Sequence, residues 1–263
     1  MKVLNIYKPL GKSPLEAIEL FRKQNPKYKD IKLGYAGRLD PMAEGVLLVL
    51  VGEELKNQKK YWTLNKKYEA EILLGFGTDA YDILGIPKMS QLSIINYPLS
   101  SGKNVEQKKI KKVLKNFEGK LTFGYPPYSS RTVNGKPLFW WARQDRLSEI
   151  EIPKKTICIK KMKLLKITEI KKEELKNLII HRINLVKGDF RQELIKTAWE
   201  KTLQETTQEK FMIIKIKTRV SSGTYIRTIA DELGKKLNTR ALLLHLKRTQ
   251  VGNYTIKKSQ QLE

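Results

Sequence analysis

The sequence predicts an α+β protein built on a large mixed sheet. Residues 46–51 form an uninterrupted apolar run, which is typical of a strand buried on both faces. Segments 68–73 and 212–220 alternate apolar with polar residues, as strands with one exposed face do. Helical patterns are inserted between the strands without a regular strand–helix alternation, and neither an internal repeat nor a clear linker divides the 263 residues. We therefore expect a single domain over residues 1–263.

Local signals mark the first elements of the chain. A short apolar segment over 3–7 predicts a strand, and a helix is expected to begin at Pro14 and to extend to about residue 23. Ser13 is a favourable N-cap, proline suits the first helical position, and Glu16 completes a capping box. The first two elements of the chain are therefore expected to be a strand and a capped helix.

Periodicity and turn residues predict the remaining elements. Lysines interleaved with aromatic residues over 59–68 suit a surface that holds phosphates and stacks bases, or equally a strand edge protected by lysines. In the first part of the chain we predict a turn-rich loop over 75–82, a flexible connection over 90–104, a basic amphipathic helix over 105–117, a turn at Asn134-Gly135 and a short helix from Leu138. In the second part we predict a half-exposed strand over 156–167 and a charged helical segment over 171–210, in which Asp189 caps a helix over 190–203. A helix that ends near Gly234, a further helix that begins over 241–246 and a last short strand after 251 complete the prediction.

The loop before the buried strand is the first candidate site. Residues 34–45 contain three glycines and one proline around Asp40. Glycine permits close approaches that a side chain forbids, and Pro41 constrains the chain directly after the carboxylate. Asp40 is thus expected on a shaped loop at the edge of a rigid sheet. A tight turn in which the Asp side chain bonds its own backbone explains the same residues.

Charge narrows the class of partner. The chain has 52 Lys and Arg against 27 Asp and Glu, a net charge of +25, and a pI near 9.9. Such an excess repels itself unless a polyanion neutralises it, and nucleic acid is the first candidate. A lysine-rich proteome would give the same composition without any partner.

Several classes of chemistry find no support in the sequence. Cys158 is the only cysteine, so no intramolecular disulfide can form, and no Cys/His cluster has metal-ligand spacing. His181 and His245 lie far apart among apolar residues, which indicates packing or surface positions. The sequence contains neither a signal peptide nor an apolar run that could cross a bilayer, so we expect a soluble cytoplasmic protein.

Six separated segments, in the same order along the chain, resemble the motifs of the TruB-type pseudouridine synthases, which act on the T-loop uridine of tRNA. One such match would be weak evidence, whereas six in order over about residues 3–260 are specific. The matching segments are Lys8-Pro9 with Gly11, the loop from Gly34 to Pro41 continuing through Gly45-Val46-Leu47, Lys67-Tyr68, Pro127-Tyr128-Ser129 with Gly135-Lys136 and Ala142-Arg143, the run from Gly223 to Arg227, and Leu246-Lys247-Arg248.

The resemblance implies a fold, an activity and roles for named residues. The implied fold is the pseudouridine-synthase fold, a mostly antiparallel mixed sheet flanked by helices, with an RNA-contacting insertion at about 125–150 and a helical insertion at about 171–210. The implied activity is isomerisation of a uridine in the tRNA T-arm by a monomer that needs no cofactor and no metal. The implied catalytic residues are Asp40, Tyr68 and Arg227. The implied substrate-binding residues are Lys8, Tyr35, Lys136, Arg143, Tyr225 and Leu246.

The chain departs from the family pattern at several places. Tyr35 stands where the family usually has His, and we expect it to stack on a base in altered form. Arg38 replaces the usual Thr, and Arg-Leu-Asp at this point resembles the RluA and RsuA branches, which modify other RNA sites. The segment 171–210 looks longer than the usual connection. Many members continue into a C-terminal PUA domain, and because this sequence ends at Glu263 we expect none.

The residue types suit the implied chemistry. Pseudouridine formation breaks the N-glycosidic bond of uracil, rotates the base and rejoins it through carbon. An ionised carboxylate can act as nucleophile or base, and a neighbouring Arg227 would favour the ionised form of Asp40. The target base must leave its stack, and Tyr68 could stack on it. Whether Asp40 attacks the ribose, attacks the base or acts by elimination stays open. The rival hypothesis is a tRNA-binding or folding factor that does not rely on catalysis.

Overall fold

The computed structural model describes residues 2–89 and 103–262. Its helices are α1 (Pro14–Gln24), α2 (Gln58–Trp62), α3 (Lys103–Lys115), α4 (Leu138–Arg143), α5 (Lys172–Asn184), α6 (Gln192–Glu205) and α7 (Ile226–Lys236). Its strands are β1 (Val3–Lys8), β2 (Leu33–Ala36), β3 (Ala43–Val51), β4 (Lys66–Leu74), β5 (Phe76–Thr78), β6 (Pro87–Met89), β7 (Gly119–Gly124), β8 (Thr132–Val133), β9 (Lys136–Pro137), β10 (Lys154–Lys171), β11 (Lys210–Val220), β12 (Ala241–Val251) and β13 (Tyr254–Thr255).

A nine-stranded sheet organises this part of the chain. The strand order is β1-β3-β12-β4-β11-β10-β7, with β2 added to β3 and β13 added to β12. Every pairing in it is antiparallel except that of β12 with β3, which is parallel. The large mixed, mostly antiparallel sheet of an α+β protein is therefore confirmed.

One face of the sheet, called here the front face, packs against α3 and α7. Alternate residues of β4, β11 and β12 point into this layer, where they meet Ile226, Ile229 and Leu233 of α7. The strand β3 is buried on both sides, as its apolar run predicted: Leu47 and Val49 pack with α1, and Val46, Leu48 and Leu50 pack with Tyr61. The core thus holds β3 rigidly, directly after the loop that carries Asp40.

The opposite face, called the back face, is covered at one end only. The helices α5 and α6 pack there against the ends of β4, β11 and β12, with Trp199 fully buried beside Phe76 and Phe211. Beyond these helices the same strands expose their outward side chains, which alternate with buried ones along β11. The predicted helical segment 171–210 is therefore two helices joined by a loop that packs on the sheet.

Two local predictions are wrong. The apolar residues at 241–246 belong to the strand β12, not to a helix. Leu242 and Leu244 face α5 and α6 whereas Leu243 and Leu246 face the front core, so burial on both sides imitates a helical pattern. Asp189 does not cap a helix over 190–203, because α6 begins at Gln192. The carboxylate of Asp189 instead accepts a hydrogen bond from the backbone N–H of Arg191 at 3.3 Å.

Other local predictions hold. The capping box at the start of α1 is present, with Ser13 Oγ accepting from Glu16 N at 3.2 Å and Glu16 Oε2 accepting from Ser13 N at 2.8 Å. Residues 90–102 of the predicted connection over 90–104 lie outside the described residues, and residues 103 and 104 belong to α3 instead.

In the described ranges, 2–89 and 103–262, no helix has the length and apolar character needed to traverse a lipid bilayer.

Candidate active site

Asp40 lies in the turn between β2 and β3. The backbone is folded back there by Gly37 at a φ of 83° and by a hydrogen bond from Ala43 N to Asp40 O at 3.0 Å. Leu39 points into the front core, so Asp40 points outward with 42% of its side chain exposed. The loop therefore presents one carboxylate at the surface, while the neighbouring Leu39 anchors the loop in the core.

Arg227, in the first turn of α7, holds this carboxylate. Its side chain is only 5% exposed, and Nε donates to Asp40 Oδ2 at 3.1 Å. Nη1 donates to the carbonyl of Ala80 and Nη2 to the carbonyl of Tyr128, each at 3.0 Å. Burial alone would lower the pKa of Arg227, but the charges of Asp40 and Asp82 outweigh it and raise that pKa. The guanidinium is thus a fixed cation beneath Asp40.

Asp82 is a second carboxyl in the field of Arg227 that the sequence did not single out. It is buried in the predicted turn-rich loop, where Oδ1 accepts the backbone N–H of Leu84 at 2.9 Å. Burial raises the pKa of Asp82 to about 6, and the charge of Arg227 acts in the opposite direction. Its signal in the sequence was weak, because an Asp in a Gly-rich loop is common in turns.

Arg248 anchors the Asp40 loop from behind. The side chain is 1% exposed and makes three hydrogen bonds to loop and strand carbonyls: Nε to Val46 at 2.7 Å, Nη1 to Arg38 at 3.0 Å and Nη2 to Gly37 at 3.2 Å. Gly45 is required opposite it, since a Cβ at that residue would lie 2.3 Å from the Arg248 carbonyl oxygen. The sequence motif contained Arg248, but no local pattern showed its acceptors, which lie 202 to 211 residues earlier in the chain.

Aromatic rings line the approach to Asp40. Tyr225 directly precedes α7, and its ring centre lies 5.5 Å from the Arg227 guanidinium and 5.7 Å from the ring of Tyr125. Burial, together with the charge of Asp40, raises the pKa of Tyr225. Tyr68 projects from β4 into the front core with Leu39 and is largely buried. The structure therefore places Asp40, Arg227 and Tyr225 together, with Tyr68 in the core below them.

Lys8 and Leu246 are not on an accessible surface, although both were predicted to bind substrate. Lys8 is 0% exposed, and its ammonium donates to the carbonyls of Pro9 and Lys12. Burial lowers the pKa of Lys8 to about 7, although the charge of Asp40 opposes this. Leu246 is buried in the front core. The hydrogen bonds of the Lys8 ammonium are made to the chain itself, so its position indicates support of the Asp40 loop. Leu246 is covered by other core residues, so its position indicates a role in the core.

The other predicted substrate-binding residues lie on outer elements. Tyr35, on β2, is half-buried against the α1 cluster. Lys136 begins the short strand β9, and its ammonium lies 5.5 Å from the ring centre of Trp140. Arg143 ends α4, and Nη2 contacts Asp189 Oδ2. These three side chains remain candidates for RNA contacts at a distance from the Asp40 carboxylate.

Arg191 connects the α5–α6 loop to the site and was also missed by the sequence. Nη1 donates to Asp79 Oδ2 at 3.0 Å, and the guanidinium lies 4.2 Å from the ring centre of Tyr128. Tyr128 and Ala80, the neighbour of Asp79, supply the two carbonyls that Arg227 binds. A contact between elements so far apart in sequence has no local pattern to reveal it.

Within the described residues, no group of three or more His, Cys, Asp and Glu side chains is arranged to hold a metal ion. The arrangement offers a fixed, partly exposed carboxylate next to a buried cation and aromatic rings. Such a group can act as a nucleophile or a base toward a planar ring that stacks beside it.

Solved structures share this fold. The chain matches one in the "Crystal Structure of a Cbf5-Nop10-Gar1 Complex" with a TM-score of 0.58 and 18% identity, over 99% of this chain and 52% of the other. It matches one in the "Structure of H/ACA RNP bound to a substrate RNA containing 2'-deoxyuridine" with a TM-score of 0.54 and 18% identity, over 99% and 51%. The chain thus spans about half the length of these solved chains, and the similarity concerns the fold.

Curated relatives are more similar in sequence. The tRNA pseudouridine synthase B of Malacoplasma penetrans is 30% identical over 97% of this chain and 87% of its own. That of Endomicrobium trichonymphae is 32% identical over 97% and 86%, and that of Bacillus subtilis is 30% identical over 97% and 66%. The family model described as "TruB family pseudouridylate synthase (N terminal domain)" matches residues 23–188, more than half of the chain. The chain belongs to the TruB family of pseudouridylate synthases.

Proposed function

We propose that this protein isomerises a uridine in the T-loop of tRNA to pseudouridine and that Asp40 is its catalytic carboxylate. The observation that carries the proposal is the pair of a partly exposed Asp40 and a buried Arg227, joined at 3.1 Å. Curated relatives named tRNA pseudouridine synthase B support the substrate class. Binding alone requires no carboxylate on a surface that faces a polyanion, so the pair favours catalysis.

The reaction is an isomerisation, so atoms and electrons balance within the substrate. The bond between uracil N1 and ribose C1′ breaks, the bond between uracil C5 and C1′ forms, and the C5 proton is lost while N1 gains one. Asp40, held in place by Arg227, serves as nucleophile or base in this sequence of steps. Because the net change is not an oxidation or a reduction, it requires no redox cofactor. Asp40 and Arg227 both come from one chain, which suits a monomer.

The flipped base needs a surface to replace its stacking partners. Tyr225 lies next to the guanidinium of Arg227 and has an aromatic face near Asp40. Tyr68 lies deeper, in the core under the loop, where it limits how far a base enters. Lys136 and Arg143 belong to the same segment, 125–150, as Tyr128, whose carbonyl accepts a hydrogen bond from Arg227. From this segment the two cationic side chains would hold backbone phosphates of the T-arm.

The decisive test is isomerisation of a T-arm RNA hairpin by the wild type and by Asp40→Asn. The variant keeps the size of the side chain but removes its charge, so we expect it to bind the hairpin and to form no pseudouridine. A wild type that binds tRNA tightly without converting uridine would identify a tRNA-binding or folding factor instead.

A second candidate function is modification of another RNA, and it rests on Arg38 in the Asp40 loop. Its side chain is exposed, so it is available to contact a different substrate. Pseudouridine mapping of total RNA, with and without the protein, distinguishes the two: loss of the T-loop site alone supports the tRNA assignment, and loss elsewhere supports the alternative.

A further inference from the structure

The open end of the back face concentrates cationic side chains that have no acidic partner. We call these residues the basic face. None of them makes an ion pair within the described part of the chain, whereas the neighbouring Lys215, Lys217 and Lys247 are paired with Glu71, Glu69 and Glu44. The basic face consists of Lys67, Lys120, Lys160, Lys161, Lys163, Lys166 and Arg219, all exposed or half-exposed.

Strand register places these charges in rows across the sheet. Lys161 lies opposite Arg219, which in turn lies opposite Lys67 on the next strand. Lys163 begins the adjacent row, two residues further along β10. Neighbouring strands are about 4.8 Å apart and successive rows roughly 6.8 Å apart, so the cations form a compact array. Like charges directly opposite each other destabilise a sheet, and a bound polyanion would remove that cost.

The remaining side chains of this surface favour nucleic acid over a membrane. Thr122 and Thr156 are exposed beside the cations and bond each other at 2.8 Å, and such hydroxyls also contact phosphate oxygens. A membrane surface requires a broad apolar face that can enter the lipid, and the exposed large apolar residue on this stretch of β10 is Leu165 alone. Phosphates and hydroxyls of an RNA backbone match both the charges and the hydroxyls.

The basic face lies on the other side of the sheet from Asp40. Along β4, Tyr68 points to the front core beneath the site, whereas Lys67 and Glu69 point to the back face. An RNA held at Asp40 therefore does not cover the basic face. We propose that the basic face binds the backbone of a second RNA helix, without sequence preference, while the front of the protein is occupied or empty. The proposal does not depend on the proposed function.

The test removes three cations from the basic face: Lys161→Thr, Lys163→Thr and Arg219→Thr together. All three positions are exposed, and Thr is favourable in strands. The matched control, Lys56→Gln with Lys176→Gln and Lys201→Gln, removes the same charge from positions outside the basic face where each lysine has an ion-pair partner. Thermal melting followed by circular dichroism reports that both triple variants are folded.

The probe is an RNA duplex of about 16 base pairs without a T-loop, the size of an RNA helix that one duplex-binding module covers. We expect the slope of log binding constant against log salt to be about 2.7 units shallower in the basic-face variant, and nearly unchanged in the control. A fourfold rise in salt would then weaken wild-type binding about 40-fold more than it weakens the variant. A charge-keeping variant, Lys161→Arg with Lys163→Arg and Arg219→Lys, should match the wild type.

Stoichiometry decides whether the RNA is a second molecule. Analytical ultracentrifugation should detect wild type with a T-arm hairpin and the duplex bound together, and the basic-face variant with the hairpin alone. Equal salt slopes for the two triple variants would overturn the proposal. So would displacement of the duplex by one equivalent of hairpin, or basic-face-dependent binding of phosphatidylserine vesicles without binding of the duplex.

Discussion

At the scale of single residues, the site depends on a guanidinium that is almost entirely buried. Arg227 makes one hydrogen bond to Asp40 and two to backbone carbonyls, so its planar group is fixed in three directions. Asp40 has few comparable restraints, since much of its side chain is exposed. The position of the carboxylate is therefore set by the arginine more than by its own surroundings.

We expect both Arg227→Ala and Arg227→Lys to lose turnover by about a hundredfold or more, because a displaced reacting group costs that much. Lysine retains the charge but cannot reach Asp40 and two carbonyls with one planar group. Affinity for tRNA should change much less. Single-turnover rates at saturating enzyme measure the loss, and near-wild-type rates for Arg227→Ala would show that the residue does not position Asp40.

Sequence motifs predicted which residues meet but not what supports them. Asp40 and Arg227 occur in distinctive local runs, and the structure joins them at 3.1 Å. Arg248 bonds carbonyls about 200 residues earlier in the chain, and the pKa of Asp82 is set by its burial and by the charge of Arg227, neither of which a local pattern records. Lys8 illustrates the converse: its motif is recognisable, but its burial beneath the Asp40 loop follows only from the three-dimensional packing.

At the scale of elements, the loop between α5 and α6 fastens a peripheral helix pair to the site. Arg191→Ala removes the ion pair with Asp79 and the stacking on Tyr128, whose carbonyl holds Arg227. We expect kcat to fall about tenfold, an effect of about 1.4 kcal/mol, with KM changed less. Steady-state kinetics measure the split between kcat and KM. Arg191→Lys should recover part of the loss, and Lys201→Ala, on the exposed side of α6, should have no effect.

A double-mutant cycle with Asp79→Asn tests the same connection. Residues in direct contact are coupled, so the effects of the two substitutions on kcat should fall short of additivity by about 1 kcal/mol. Additive effects would mean that Arg191 acts on the site by another route.

Glu44 joins three strands and makes stability depend on pH. Its carboxylate accepts from Tyr7 on β1 at 2.6 Å and contacts Lys247 on β12 at 3.0 Å. Burial would raise the pKa of Glu44, but hydrogen bonds from His245, Tyr7 and Lys247 lower it from 4.5 to about 2. Because the folded-state pKa is depressed, the stabilisation is complete above about pH 4.5 and is lost as the pH falls toward 2.

Glu44→Gln should therefore reduce the free energy of unfolding by about 1 to 3 kcal/mol at pH 7. The difference from wild type should shrink as the pH falls from 4.5 toward 2, which urea denaturation over a pH series measures. A difference that stays constant over this range would mean that the charge of Glu44 contributes nothing.

Elements were predictable where periodicity matched one exposed face. The strands β4 and β11 alternate cleanly and were predicted, as was the capped helix α1. The strand β12 was not, because it is buried on both faces at 241–244: its period of two disappears from the sequence, and a short apolar run of this kind fits a buried helix as well as a strand.

At the scale of the whole molecule, the charge of +25 should govern RNA affinity. We expect the binding constant for T-arm RNA to fall steeply with salt, with a log–log slope of several units. Lys136→Glu and Arg143→Glu should each reduce that slope by about one, as expected for one phosphate contact per residue. Fluorescence anisotropy over a salt series measures this slope. A binding constant that does not change with salt would mean that the net charge reflects a lysine-rich composition and not RNA binding.

The anchoring of the Asp40 loop by Arg248 has a consequence for how the enzyme is made. Arg38 and Arg248 are 210 residues apart, and Asp40 and Arg227 are 187 residues apart. At the usual pace of translation, roughly 10 to 40 seconds pass between the emergence of the loop and that of its anchor. During that interval the nascent chain carries its carboxylate without either arginine, so the Asp40 loop cannot reach its final, anchored form until synthesis of the chain is nearly complete.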